Sequence, residues 1–136
     1  MDDRGHLWIF SPAHGTGRPA YIHRSTQPWS IENFERLVVT TVERFGRLDA
    51  VVNNAGGAMP RAALDTSEGF LERTFHFNVT APFTLTKLAA RRMVDTVGSG
   101  AVVNISSRSA SMTQTSFVAY GAVKAALDRL TRNMAP

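Results

Sequence analysis

The sequence predicts an α/β fold, built as a doubly wound parallel sheet with long flanking helices. Two segments, residues 48–53 and 101–105, are short, apolar and followed by polar loops, which is typical of buried parallel strands. Segments with apolar residues at helical spacing lie before, between and after them. A strand, a crossover helix and a second strand should form one right-handed βαβ unit.

The first predicted helix precedes the strand at 48–53. Ser30 is a suitable N-cap for it, and Gly46 is expected at the C′ position, where glycine commonly ends a helix. The apolar residues between them recur three or four apart, as on one face of a helix: Phe34, Leu37, Val38, Val42 and Phe45.

Two longer helices are predicted beyond this strand. One runs from about residue 68 to residue 97, with Thr66 or Ser67 as its N-cap. Pro82 should bend or locally break it, because proline removes a helical hydrogen bond. The other begins at about Phe117 and runs toward Met134.

Composition limits the classes of function. The 136 residues suit one domain, and the basic residues, which give a net charge of +4, are scattered rather than clustered as nucleic-acid binding requires. The lack of cysteine excludes thiolate metal sites, and His6, His14 and His23 fit no compact metal site. No apolar run approaches the roughly 20 residues of a membrane span, and the amino terminus lacks the layout of a signal peptide. We therefore expect a cytoplasmic protein without metal, membrane or nucleic acid.

Tyr120 and Lys124 form the first pair of residues with a predicted chemical role. They are four apart on the last predicted helix and therefore lie on one face of it. A phenol has an ordinary pKa of about 10, too high for a base at neutral pH, and a neighbouring ammonium favours the phenolate. The pair therefore predicts a general acid/base. Ser107 lies after the strand at 101–105, at the sheet edge where open α/β sheets bind ligands, so we expect its hydroxyl to hydrogen-bond a substrate carbonyl or alcohol.

These residues stand in a pattern that resembles the short-chain dehydrogenase/reductase family. The family's Tyr-x-x-x-Lys pair matches Tyr120 and Lys124, and its serine, thirteen residues before the tyrosine, matches Ser107 rather than Ser106. The asparagine of its catalytic tetrad matches Asn78. Its Asn-Asn-Ala-Gly motif matches four consecutive residues: Asn53, Asn54, Ala55 and Gly56. The resemblance covers about residues 30–136 and implies a partial Rossmann-like domain there.

The resemblance implies an oxidoreductase that uses NAD or NADP to interconvert a secondary alcohol and a ketone. Tyr120 would pass the proton, Lys124 would tune the phenol and hold the nicotinamide ribose, and Ser107 would orient the carbonyl. Asn78 would distort its helix and hold a water in a proton relay toward the lysine. Residues 53–56 would bind the adenosine half of the cofactor, with Tyr120 and Lys124 at its nicotinamide end. The helices around 68–97 and 117–135 would form the interface of a homo-oligomer.

Residues 1–29 do not match the family and are predicted to be an irregular segment. The family has its first strand and a glycine-rich turn there, which binds the pyrophosphate at a helix amino terminus. Residues 7–10 are compatible with a short strand, but the stretch 14–17, His-Gly-Thr-Gly, lacks the third glycine and a following helix start. We therefore expect weak dinucleotide binding, about a thousandfold weaker for a loss of about 4 kcal/mol.

A second hypothesis stays open at this point. The chain is then a catalytically inactive fragment, or it docks on a full-length relative through its long helices. The missing phosphate turn favours this hypothesis, as does the presence of only two confident strands, which is fewer than a stable open sheet normally uses. An upstream reading frame that encodes the glycine-rich turn would favour the enzyme instead.

Overall fold

A computed structural model describes the backbone of residues 8–11, 21–24 and 31–135, and the side chains of residues 34–135. Strands β1 (Trp8–Ser11) and β2 (Tyr21–Arg24) pair antiparallel, so these eight residues are regular strand within the segment that the sequence predicts as irregular. The stretch 14–17, the site of the imperfect phosphate turn, lies outside the described residues. The division of the chain at residues 29 and 30 stays a prediction.

Residues 31–135 form an alternation of helices with two parallel strands. The elements in chain order are α1 (Ile31–Phe45), β3 (Ala50–Asn53), α2 (Glu68–Phe75), α3 (Ala81–Val97), β4 (Ala101–Asn104) and α4 (Val118–Met134). Short 3₁₀ turns lie at Ala63–Asp65 and Arg108–Ala110, and a π turn lies at His76–Thr80. This order confirms the predicted α/β class.

Strands β3 and β4 are paired in parallel, with Ala50 opposite Ala101 and Asn53 opposite Asn104. Both are shorter than predicted: β3 begins two residues after residue 48, and β4 ends one residue before residue 105. The pairing nevertheless continues past β4, because the backbone N–H of Ile105 donates to the carbonyl of Asn53 at 3.0 Å. The two strands therefore end side by side.

The core lies on one face of this strand pair. Helices α1 and α3 pack together over it, and the buried residues of this cluster include Phe34, Val51, Leu85 and Met93. Val52, which points to the opposite face, is 57% exposed. Within residues 34–135 the helices pack against the Val51 face alone, so only one of the two helical layers of a doubly wound sheet is described.

The predicted helix ends at residues 46 and 67 are confirmed. Gly46 has a positive φ of 75°, and its N–H donates to the carbonyl of Val42 at 2.7 Å, as expected of a C′ glycine. Ser67 is the N-cap of α2, because its hydroxyl accepts from the backbone N–H of Phe70 at 3.3 Å. Thr66, the alternative cap, instead donates its hydroxyl to the carbonyl of Ala62.

The single helix predicted over residues 68–97 is wrong in one respect, since the π turn divides it into α2 and α3. The side-chain amide of Asn78 donates to the carbonyl of Thr74 at 2.9 Å. In an α-helix that carbonyl would accept from the backbone N–H of Asn78, so the side chain competes with the helical bond and the turn widens. Pro82 lies in the first turn of α3, where a missing N–H is tolerated, rather than at the break itself.

Candidate active site

The candidate site lies at the carboxyl ends of β3 and β4. The turn that follows β3 and the loop that follows β4 leave the sheet at the same edge. A hydrogen bond from the backbone N–H of Arg61 to the carbonyl of Ser116, at 2.6 Å, links these two connections just before α4 begins. The predicted site residues 53–56, 107, 120 and 124 therefore lie on neighbouring elements.

Lys124 is a buried cation at the centre of this region. Its side chain is 2% exposed, and its ammonium donates to the carbonyl of Ile105 at 2.8 Å. Within the described residues this carbonyl is its one hydrogen-bond acceptor, and an ammonium has three N–H donors. Burial lowers the pKa of Lys124 below its ordinary value of 10.5, an effect that the nearby carboxylate of Asp128 partly opposes.

Tyr120 lies one helical turn before Lys124, on the same side of α4. The ammonium nitrogen of Lys124 is 5.8 Å from the centroid of the Tyr120 ring, and the centroid of the Phe117 ring is 6.1 Å from the same centroid. Tyr120 is half-buried, so its ring is fixed by packing while part of the side chain reaches solvent. The two residues that the sequence pairs by their spacing are thus neighbours.

Ser107 has a hydroxyl whose orientation is set by its own loop. It caps the 3₁₀ turn Arg108–Ala110, and its oxygen accepts from the backbone N–H of Ser109 at 3.2 Å. Its O–H has no acceptor among the described residues, so it is available to donate to a ligand oxygen. The adjacent Ser106 hydroxyl is buried and lacks a hydrogen-bond partner in the described part of the chain.

The 3₁₀ turn that begins after Ser107 packs against α4. A Cβ atom added to Gly121 would lie 2.9 Å from the carbonyl oxygen of Ser109, which means that the backbone of this loop touches the helix beside Tyr120. The hydroxyl of Ser109 donates to the side chain of Gln114 at 2.6 Å and so links the 3₁₀ turn to the later part of the same loop. The loop that carries Ser107 therefore lies against the helix that carries Tyr120.

Asn78 has no solvent exposure, and its side-chain amide is occupied by three hydrogen bonds. Its oxygen accepts from the backbone N–H of Gly57 at 3.0 Å, and its nitrogen donates to the carbonyl of Gly57 at 3.0 Å as well as to Thr74. The side chain therefore fastens the turn after β3 to the π turn. A water held by Asn78 would have to use its backbone rather than its amide hydrogens.

The four residues of the Asn-Asn-Ala-Gly motif point in alternating directions. Asn53 is buried, and its amide donates to the side chains of Asn104 at 2.7 Å and Thr86 at 2.9 Å, which joins the two strands to α3. Ala55 is buried as well. Asn54 and Gly56 are exposed, so these two are the members of the motif that can reach a ligand directly.

Sequence reasoning missed several groups that hold the site together. The carbonyl of Ile105 binds Lys124, and the backbone N–H and carbonyl of Gly57 bind Asn78. Every residue type has these backbone groups, so the sequence gives no signal of such contacts. Thr74 had one available signal, since it lies four residues before Asn78, at the spacing of neighbours on a helix.

Within residues 34–135, no group of three or more histidine, aspartate or glutamate side chains lies close enough together to hold a metal ion. In the same part of the chain, no helix combines the length and the apolar character that a membrane crossing requires.

The sequence pattern of the short chain dehydrogenase family matches residues 21–136. The chain belongs to this family. An uncharacterized oxidoreductase of Mycobacterium tuberculosis is 44% identical over 97 residues, which are 71% of this chain and 37% of the relative. Secoisolariciresinol dehydrogenase of Forsythia intermedia is 35% identical over 137 residues, which are 99% of this chain and 48% of that enzyme. The chain thus spans less than half the length of each of these relatives.

Solved structures of short chain dehydrogenases share the fold. A short chain dehydrogenase from Mycobacterium smegmatis has a TM-score of 0.74 and 33% sequence identity, covering 79% of this chain and 45% of that one. A 7α-hydroxysteroid dehydrogenase complexed with NADH and 7-oxo glycochenodeoxycholic acid has a TM-score of 0.73 and 32% identity, covering 79% of this chain and 41% of that one. The Rossmann-like α/β class of the chain is thereby confirmed.

Proposed function

We propose that the protein is an NAD- or NADP-dependent short-chain dehydrogenase/reductase that interconverts a secondary alcohol and a ketone. The observation that carries this proposal is the buried ammonium of Lys124 beside the ring of Tyr120. A buried charge is costly unless it is paired or hydrogen-bonded, and here the charge lies next to a phenol on the helix against which the loop of Ser107 packs. This combination suits proton transfer to or from a substrate oxygen.

In the reducing direction, two hydroxyl groups act on one substrate oxygen. Ser107 donates a hydrogen bond to the ketone carbonyl, because its own oxygen already accepts from Ser109. Tyr120 gives its phenolic proton to the same oxygen as the alcohol forms. The positive charge of Lys124 stabilises the phenolate that remains. In the oxidising direction, Tyr120 takes the proton back from the alcohol.

The residues present fit a nicotinamide dinucleotide at one end of the site. When bound, this cofactor supplies or accepts the hydride. Lys124 keeps two N–H donors beyond its bond to Ile105, and these suit the hydroxyls of the nicotinamide ribose, with Tyr120 beside them. Asn54 and Gly56 are exposed residues and suit contact with the adenosine end. Asn53 and Ala55 would support that end from inside the fold.

Asn78 completes the proposed catalytic set as the residue that holds the π turn beside Lys124. Its amide is committed to Gly57 and Thr74, so a proton relay through a water would start at its main chain.

We also propose a cytoplasmic location.

The proposal is tested by replacing Ser107. Ser107→Ala should lower kcat/KM for ketone reduction by about 10- to 100-fold, because a hydrogen bond to an oxygen that gains charge contributes about 1.5–3 kcal/mol. The assay follows the oxidation of NADH or NADPH with a panel of ketones. Ser111→Ala is the matched control, since among the described residues its exposed hydroxyl bonds only to the carbonyl of Arg108 in the same loop. Equal losses in both variants, or none in either, would argue against the role of Ser107.

One observation favours the alternative, an inactive fragment or a partner of a full-length relative. Val52 and Val103 on the uncovered face of the strand pair are 57% and 46% exposed, and such apolar surface favours association. An alternative of this kind predicts no turnover with any ketone, together with binding to a full-length relative. The assay above therefore separates the two hypotheses.

We further propose that the chain is a homo-oligomer through the helices around 68–97 and 117–135. Large apolar side chains stay exposed on α2 and α3: Leu71, Phe75, Phe83 and Val94. Light scattering should detect a dimer or larger species, and Phe75→Ser should shift it toward monomer. The control is Leu64→Ser, because Leu64 is fully exposed but lies on a 3₁₀ turn outside these helices. A monomeric wild-type chain at high concentration would contradict the proposal.

A further inference from the structure

Gly56 occupies a position where the backbone itself does not require glycine. Among the described residues, positive φ angles occur at Gly46 and Gly98, so Gly56 has a conformation that any residue can adopt. The reason for glycine at this position must therefore be the space that its missing side chain leaves.

That space is occupied by Lys124. A Cβ atom added to Gly56 would overlap the ammonium nitrogen of Lys124, and it would lie 2.9 Å from the Cε atom of the same side chain and 3.0 Å from Oδ1 of Asn78. Gly57, the next residue, is different, because the nearest atom to an added Cβ there is Cε1 of Phe77 at 4.0 Å. The close contact is thus specific to Gly56.

Lys124 has little freedom to move away from such a contact. Its side chain is 2% exposed, and its ammonium is held by the carbonyl of Ile105 at 2.8 Å. Helix α4, which carries Lys124, is held in place by the burial of Ala119, Val123 and Leu127. A flexible lysine at the surface would swing aside, whereas this one would have to leave its binding position.

The turn at Gly56 is fixed from the opposite side by Asn78. Two hydrogen bonds of 3.0 Å join the side chain of Asn78 to the N–H and the carbonyl of Gly57. The third bond, to Thr74, ties the same side chain to α2. The backbone of Gly56 is therefore held against the ammonium of Lys124 and cannot readily retreat.

We propose that Gly56 is a positioning residue for Lys124: it leaves the space in which the ammonium lies, and Asn78 holds the turn so that this space has a fixed place. The inference rests on the proposed function, in which Lys124 acts on Tyr120 and on the cofactor. The Asn-Asn-Ala-Gly turn then has a second role besides its proposed contact with the cofactor, which is to fix the position of the Lys124 ammonium beside Tyr120.

The test uses the two lysines of the chain, Lys87 and Lys124. In a sample labelled with ¹³C and ¹⁵N lysine, NMR detects both ammonium groups, and the exposed Lys87 is the internal reference. Gly56→Ala should move the Lys124 signal and bring its pKa closer to the ordinary 10.5, because the group is pushed toward solvent. The other ionisable groups near it, Asp128 and Tyr120 on α4, are the same in all variants.

Gly57→Ala is the matched control and should leave the Lys124 signal where it is. An unchanged Lys124 signal in folded Gly56→Ala, or an equal change in Gly57→Ala, would overturn the proposal. The NMR experiment does not measure turnover. The proposal can therefore fail while the oxidoreductase function stands, and the oxidoreductase function can fail while the proposal stands.

A second measurement covers the case in which Gly56→Ala does not fold. In the wild-type background Gly56→Ala should lower Tm by about 5 °C or more, as overpacking of a fixed site does. In a Lys124→Ala background the space is empty, so the same change should lower Tm much less and should permit folding. An equal fall in Tm in both backgrounds would show that Gly56 acts on something other than Lys124.

Discussion

Tyr120→Phe should lower kcat for ketone reduction by about 10²- to 10⁴-fold, the range for loss of a general acid/base. The substitution keeps the ring, and therefore its packing against Phe117, but it removes the proton that is transferred. Cofactor affinity should change little, because Lys124 and its bond to Ile105 are untouched. Rates at saturating concentrations of both the ketone and NADH or NADPH give the effect on kcat directly.

The matched control is Tyr21→Phe, which changes the only other tyrosine of the chain. It should retain the wild-type rate, since Tyr21 has no proposed part in proton transfer. Wild-type turnover in Tyr120→Phe would show that another group transfers the proton. The assignment of Tyr120 would then be abandoned even if the chain is an oxidoreductase.

Lys124→Met should lower turnover by about 10²- to 10³-fold, the usual effect of removing one preorganised electrostatic group. Methionine retains most of the length and apolar surface of the lysine stem, so the packing of α4 should persist. Lys124→Arg should restore only part of the activity, because the guanidinium is planar and larger than an ammonium, and the space beside Gly56 is already filled by the end of the lysine side chain and bounded by Asn78. Lys87→Met, at the exposed second lysine, is the control and should be fully active.

The same substitution should change how stability depends on pH. Burial lowers the pKa of Lys124 in the folded chain, so the unfolded chain binds more protons between that lowered pKa and 10.5. The free energy of unfolding of the wild type should therefore rise with pH across this window, relative to Lys124→Met, which binds no proton there. Below the window, the wild type bears the full cost of the buried charge.

Urea unfolding of both chains, from neutral pH to pH 10.5, measures this difference. Lys87→Met should follow the wild type at every pH, because Lys87 is exposed. A difference between wild type and Lys124→Met that stays constant with pH would contradict the burial of a charged Lys124.

The parts of the site that the sequence predicts are those that depend on spacing along one element. Tyr120 and Lys124 are four apart on a helix, and their neighbourhood follows from helical geometry. Ser107 follows a strand, and its place at the sheet edge follows from the direction of parallel strands. In both cases, local geometry is enough to place the side chain.

The parts that the sequence does not predict depend on contacts between distant segments. The ammonium of Lys124 is held by a backbone carbonyl nineteen residues earlier, and the amide of Asn78 is held by a glycine twenty-one residues earlier. A backbone acceptor can belong to any residue type, so the sequence carries no mark of it. A distortion of the helix at Asn78 is implied by the family resemblance, and the π turn lies there, but the side-chain bond to Thr74 that widens the turn is seen only in the fold.

The interpretation of Asn53 also required the fold. Its residue type fits a ligand-binding turn, yet its buried amide joins β3 to β4 and α3. Alternation along the chain explains the difference, because Asn53 and Ala55 point inward whereas Asn54 and Gly56 are exposed. Which of these residues point inward depends on the register of residues 53–56 relative to the core, and the core forms only when α3 packs on the sheet.

The most direct test of the proposed site is calorimetric titration of the purified chain with NADH and NADPH, in the wild type and in Lys124→Met. Because residues 1–29 lack a complete glycine-rich turn, the titration should extend to about 10 mM, where weak sites of about 4 kcal/mol are still detected. We expect saturable binding of at least one cofactor to the wild type and a Kd at least about tenfold weaker in Lys124→Met, as loss of a charge-assisted hydrogen bond implies. Equal Kd values in the two chains, or no binding of either cofactor, would contradict the assignment of this site.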